Sequence, residues 1–155
     1  MKAIGIRTNP KEVFFTIVEK LDEGNNVLVI DKLTLPISLE TPDKLNFVRK
    51  TIIDIINQYD VQLAGIRVTE GNAQSKNIDR ISIEGVIQEL FSSCSVQKYF
   101  GGNISKISKL LDLTNNGDLK KIIKGEEIPE ELNFLSELKE SERESTLSAL
   151  AALNL

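Results

Sequence analysis

Short alternating apolar runs open this chain, and helical spacing takes over after residue 40. Residues 2–8 (KAIGIRT) predict a strand that places Ala3, Gly5 and Arg7 on one face. Asn9-Pro10-Lys11 predicts a turn, and residues 13–18 (VFFTIV) a second strand. That run is apolar on both faces, as in a strand covered on both sides. Gly24-Asn25-Asn26 predicts another turn before a third strand at 27–30 (VLVI), with alternation continuing to Leu35. Connections this short favour an antiparallel meander.

Thr41-Pro42 predicts a helix start, with threonine as N-cap and proline at the first helical position. Leu45, Val48, Ile52, Ile55 and Tyr59 then recur at steps of three and four, giving one buried face up to about Asp60. LAGIRV (63–68) predicts a fourth strand with Leu63, Gly65 and Arg67 on one face, and 70–77 a polar loop. A second helix is expected from about Asp79 to Ser93, with Ile83, Val86, Ile87, Leu90 and Phe91 in the core. SVQKYF (95–100) predicts a short fifth strand ended by Gly101-Gly102. The remainder is helical in tendency, divided at Asn115-Asn116-Gly117 and at 125–129. A last helix near 141–153 carries Leu147, Leu150, Ala151 and Leu153. Helices between strands support parallel pairing through crossovers. The expected fold is therefore α/β, a five-stranded mixed sheet with helices on both faces, in a single domain over 1–155 whose part 114–155 is helical.

Composition narrows the function classes. The 155 residues suit one domain, and 41% hydrophobic with 27% charged residues is an ordinary globular balance. A net charge of -4 disfavours broad, sequence-independent nucleic-acid binding. No apolar stretch approaches the roughly 20 residues that span a bilayer, and the start lacks a signal-peptide pattern. The lone Cys94 allows no internal disulfide and fits a reducing, cytoplasmic setting. With no histidine in the chain, Ser-His-Asp and Cys-His catalysis and histidine metal sites are excluded.

Arg7 and Arg67 each end a strand-like run two residues after a glycine. A guanidinium has five donors, no acceptor and a permanent positive charge, so it cannot ligate a metal but binds carboxylates and phosphates well. If the two strands are neighbours, the arginines share one end of the sheet. Like charges about 4 Å apart repel by roughly 4 kcal/mol at an effective dielectric near 20. An ion pair to Glu142 or Glu144, or a bound anion, is therefore expected between them.

At residue level the chain resembles the RuvC Holliday-junction resolvases, whose first strand reads roughly GIDPG, whose fourth ends in AIE, and whose late helix carries D-x-x-D-A-L-A. The matching stretches are GIRTN from Gly5, GIR from Gly65 and ERESTLSA from Glu142, and KYFGGNISKISKLL resembles the fifth strand and the basic helix start after it. The stretch GNAQSKNIDRISIEGVIQEL also resembles a bacterial group of small, degenerate RNase H-like proteins. This resemblance implies an RNase H-like fold with its four acidic ligand positions at Arg7, Arg67, Glu142 and Ser145, only Glu142 being still acidic. A carboxylate pair at the strand tips would hold Mg²⁺ through oxygen ligands; two arginines would not. The resemblance thus implies a pseudo-nuclease with no catalytic residues, metal or cofactor. Such a protein would act as a binding or assembly component of a nucleic-acid-processing or antiviral-defence complex, with a protein partner or a second copy of itself.

Two other readings stand beside it. One is an active metal-dependent nuclease with a rearranged site of Glu70, Glu84 and Glu142, although a solvated face or helix cap also explains Glu70, Asp79 and Glu84. The other is a small-anion or nucleotide sensor that uses Arg7 and Arg67. Lys98, Lys106, Lys109, Lys120, Lys121 and Lys124 make one stretch basic beside the acidic run 125–145. Nucleic-acid binding or mutual neutralisation both fit that pattern. Only Tyr99 and Phe100 interleave the lysines, so a base-stacking platform lacks support. Gly101-Gly102 lacks the spacing of a phosphate-binding loop and reads as a turn.

Overall fold

The computed structural model describes residues 1–155. Five strands form one sheet in the order β3-β2-β1-β4-β5. They are β1 (Lys2–Thr8), β2 (Glu12–Lys20), β3 (Asn25–Thr34), β4 (Leu63–Arg67) and β5 (Lys98–Gly102). The first three form the antiparallel meander, while β4 pairs parallel with both β1 and β5. The mixed five-stranded sheet expected from the element order is the one observed.

Strand alternation divides the core in two. Ile4 and Ile6 of β1, Val13, Phe15 and Ile17 of β2, and Ala64 and Ile66 of β4 face α1 (Thr41–Tyr59) and α2 (Ile78–Ser93). Ala3, Val18, Leu63 and Phe100 face the opposite layer. That layer is built from α3 (Ile104–Leu110), α4 (Asn116–Lys124), a 3₁₀ segment at Glu130–Glu137 and α5 (Glu140–Ala152). Both faces of β2 are buried, as its sequence predicts. No helix is long and apolar enough to cross a membrane.

Several local expectations need correction. Glu40, not Thr41, is the N-cap residue of α1, so Thr41 and Pro42 are its first helical positions. The fully buried stripe of α1 is Val48, Ile52 and Ile56, while Leu45, Ile55 and Tyr59 pack at its margin. Asn77 rather than Asp79 caps α2, its side chain accepting from the Arg80 amide at 3.0 Å. Gly101 and Gly102 lie inside β5, because parallel pairing with Ile66 and Arg67 carries the strand through them. The helical part divides just before Asn116: Asn115 caps α4, and Asn116 and Gly117 are its first residues.

Candidate functional site

In the parallel β1–β4 ladder Gly5 pairs with Gly65 and Arg7 with Arg67. Both pairs face α5. A Cβ at Gly5 would come within 2.7 Å of the Ala149 Cα, and one at Gly65 within 2.7 Å of the Ser148 carbonyl oxygen. The two glycines thus let the α5 backbone rest directly on the sheet. Small polar side chains complete the contact: the Thr16 hydroxyl lies 2.9 Å from that of Ser145 and 3.0 Å from that of Thr146.

This docking drives Glu144 between the two arginines. Its carboxylate lies 2.7 Å from Arg7 Nε and 3.7 Å from Arg67 Nε, with its side chain only 8% exposed. Arg7 Nη1 also donates to the Arg67 carbonyl at 3.2 Å, and Arg67 Nη1 donates to the Val68 carbonyl. Arg67 Nη2 reaches Glu70 at 3.2 Å, and Glu70 in turn accepts from the Ile104 amide at 3.2 Å. Burial lowers the Arg7 pKa against the attraction of Glu144. Burial likewise raises that of Glu144 despite the pull of Arg7 and Arg67. Desolvation therefore outweighs attraction at both partners, the expected balance for an ion pair taken out of water.

A second charged group adjoins the first. Glu84 of α2 is buried, where the sequence suggested a solvated face. It accepts from the Thr69 amide at 3.0 Å, the Thr69 hydroxyl at 3.0 Å, Arg80 Nε at 3.1 Å and the Thr8 hydroxyl at 3.4 Å. These four donors compensate its burial. Glu84 and the threonines had no distinguishing signal beyond a polar residue at a strand end or on an apolar helix face.

The ion partner expected at Glu142 or Glu144 is Glu144. Glu142 instead bonds the Lys139 amide at 2.7 Å and closes a capping box at the start of α5. Ser145 is fully buried against Thr16. Of the four positions singled out by resemblance, Arg7 and Arg67 are ladder partners, Glu142 caps α5, and Ser145 packs on Thr16 with its carbonyl oxygen against Gly5. Glu70, Glu84 and Glu142 do not gather, and Asp79 is exposed in the first turn of α2. No three histidine, cysteine, aspartate or glutamate side chains cluster as a metal cage anywhere in the chain. At the strand tips Arg7 and Arg67 engage Glu144 and Arg67 also engages Glu70, so these carboxylates face guanidinium groups rather than a shared space for a divalent ion. Among the lysines of the basic stretch, Lys121 pairs with Glu127 at 2.9 Å, and Lys98 donates to the Leu155 carbonyl at 2.6 Å.

No protein-family model and no curated protein sequence matches the chain. Its fold does match solved structures. RuvC from Thermus thermophilus aligns over 99% of this chain and 94% of that one, with a TM-score of 0.72 at 9% identity. The same protein in complex with a Holliday junction substrate gives a TM-score of 0.70, also at 9% identity with 99% and 94% covered. Fowlpox virus resolvase in a Holliday junction DNA complex aligns over 97% and 95% of the two chains, with a TM-score of 0.55 at 13% identity. At these identities the likeness is one of fold, and it extends over 97–99% of the chain: the chain adopts the RNase H-like fold in its RuvC-like form.

Proposed function

We propose that this protein is a pseudo-nuclease, an RNase H-like domain that binds or assembles without cutting. The observation that carries this reading is the Arg7–Glu144–Arg67 clasp. Two-metal phosphoryl chemistry needs clustered carboxylates to clamp both ions. At these strand tips two guanidinium groups hold the nearest carboxylate themselves. The clasp also weakens the reading of Arg7 and Arg67 as an open anion sensor, since Glu144 already occupies the space between them.

Two features support a binding role. The RuvC and Fowlpox resolvase structures of similar fold include complexes with Holliday junction DNA, which favours nucleic acid as one partner. Ile37 is 92% exposed, and Ile78 and Ile81 stand out at the start of α2. Ile37 lines a groove with Asp79, the residue after Ile78, and exposed apolar side chains of this kind support a protein contact, including one with a second copy of the chain.

The deciding experiment incubates the purified chain with Mg²⁺ or Mn²⁺ and four-way junction, duplex and RNA–DNA hybrid substrates. No cleavage is expected, while a band shift on one of them is. Metal-dependent cleavage that disappears in Glu144→Gln or Glu84→Gln would overturn the reading.

A further inference from the structure

We infer that the polar cavity beside Arg67 is a binding site for a phosphate monoester, the terminal phosphate of a nucleotide or of a nucleic-acid strand. The cavity, of about 370 Å³, lies on the far side of Arg67 from Arg7, between the end of β4 and the starts of α3 and α4. Its lining includes Arg67, Glu70, Asn72, Asn103, Asn116 and Lys120. That volume falls in the range of small-ligand sites.

The lining is rich in donors that the fold leaves unused. Arg67 is 7% exposed; its Nε, without a hydrogen bond, faces Glu144 at 3.7 Å, and its Nη2 is held by Glu70, itself a lining residue, at 3.2 Å. Asn103 uses its side-chain oxygen to accept from the Lys106 amide, which leaves its NH₂ group free. Asn115 rather than Asn116 supplies the cap of α4, so the Asn116 amide is uncommitted. Lys120 is exposed at the rim, one turn into α4, and pairs with no acid. The Lys120 ammonium and the Asn103 and Asn116 amides line the same cavity as the Arg67–Glu70 pair, and phosphate oxygens are the acceptors that suit such a set.

Charge selects the ligand class. Of the charged lining residues, Arg67 is compensated by Glu70 within the cavity and by Glu144 outside it, which leaves Lys120 as the cation without an acidic partner. A phosphate monoester carries about -1.5 to -2 charges at neutral pH, whereas a backbone diester carries only one. Glu70 is the internal anion that holds Arg67 at 3.2 Å. A bound phosphate competes with it for the same guanidinium. This site does not depend on whether nuclease chemistry has been lost, and its test is separate from any cleavage assay.

Calorimetric titration of the full chain with inorganic phosphate, adenosine 5′-monophosphate and adenosine tests the assignment. Saturable binding of phosphate and the nucleotide, without binding of adenosine, is expected. Lys120→Glu should weaken both by about tenfold or more, and Glu70→Gln should tighten them. Lys120 is exposed, so a thermal melt will show that the variant stays folded. A 5′-phosphorylated oligonucleotide and its unphosphorylated twin identify the source of the phosphate. Preference for the phosphorylated strand over the free nucleotide assigns a nucleic-acid end, and the reverse order assigns a nucleotide. Failure of phosphate and nucleotide to saturate at about 10 mM, or affinity unchanged in Lys120→Glu, overturns the site.

Discussion

Gly5 of β1 lies directly against Ala149 of α5, so close that a Cβ on the glycine would sit 2.7 Å from the Ala149 Cα. Gly65, its partner in the ladder, makes the same approach to Ser148. The clasp above them depends on this contact, because it sets the height and rotation of α5.

Gly5→Ala should therefore destabilise the fold by about 3 kcal/mol or more, since backbone rather than a movable side chain blocks the new methyl. Gly85→Ala is the contrasting change. It has open space on α2 and should stabilise by about 0.5–1 kcal/mol. Urea denaturation of the two variants checks both signs. An unchanged midpoint in Gly5→Ala would mean that α5 is not seated on the sheet as described.

Arg7→Met should lower stability by about 3 kcal/mol, because it leaves the Glu144 carboxylate buried with a weaker partner. The triple change Arg7→Met, Glu144→Leu and Arg67→Met should recover most of that loss. It removes the cost of burying all three charges along with their attraction. A triple variant as unstable as the single one would show that the clasp contributes net attraction beyond its burial cost.

Titration of Glu144 gives a pH dependence of defined sign. Burial raises its folded pKa above the ordinary 4.5, so the folded state binds this proton more tightly than the unfolded chain. Its contribution to stability is complete below 4.5 and declines as pH rises through the raised folded value. Denaturation measured from about pH 4.5 upward should show this decline in the native chain. The decline should vanish in Glu144→Gln and steepen in Arg7→Met, where one attraction that opposes the shift is gone. A native chain that gains stability from Glu144 over this window would reverse the assignment.

Ile78 is 80% and Ile81 41% exposed on the first turns of α2. If this surface mediates self-association, light scattering should report a dimer that Ile78→Glu with Ile81→Glu converts to monomer without changing the melting temperature. A native chain that stays monomeric at high concentration removes self-association and leaves a different protein as the partner for this surface.

The sheet order was legible in the sequence because its signals are local. Turn residues at 9–11 and 24–26 enforce the meander, and strand parity alone puts Arg7 and Gly5 on one face. Helical spacing similarly located α1, α2 and α5, although cap residues moved by one or two positions. The partner of the arginines was narrowed to Glu142 or Glu144 but not resolved. Residues two apart on a helix point about 200° away from each other, so the rotation of α5 about its axis selects one of them. That rotation is decided by Gly5, Gly65 and Thr16, which lie on strands distant in sequence. Glu84 follows the same rule: its position on α2 was readable, but its burial rests on donors from Thr8, Thr69 and Arg80 that only the folded chain brings together. Sequence alone determined which residues can share a strand face or a helix stripe, because those periodicities are properties of the backbone. Tertiary structure decided which charges meet, because that depends on how closely and at what angle one element is allowed to lie on another.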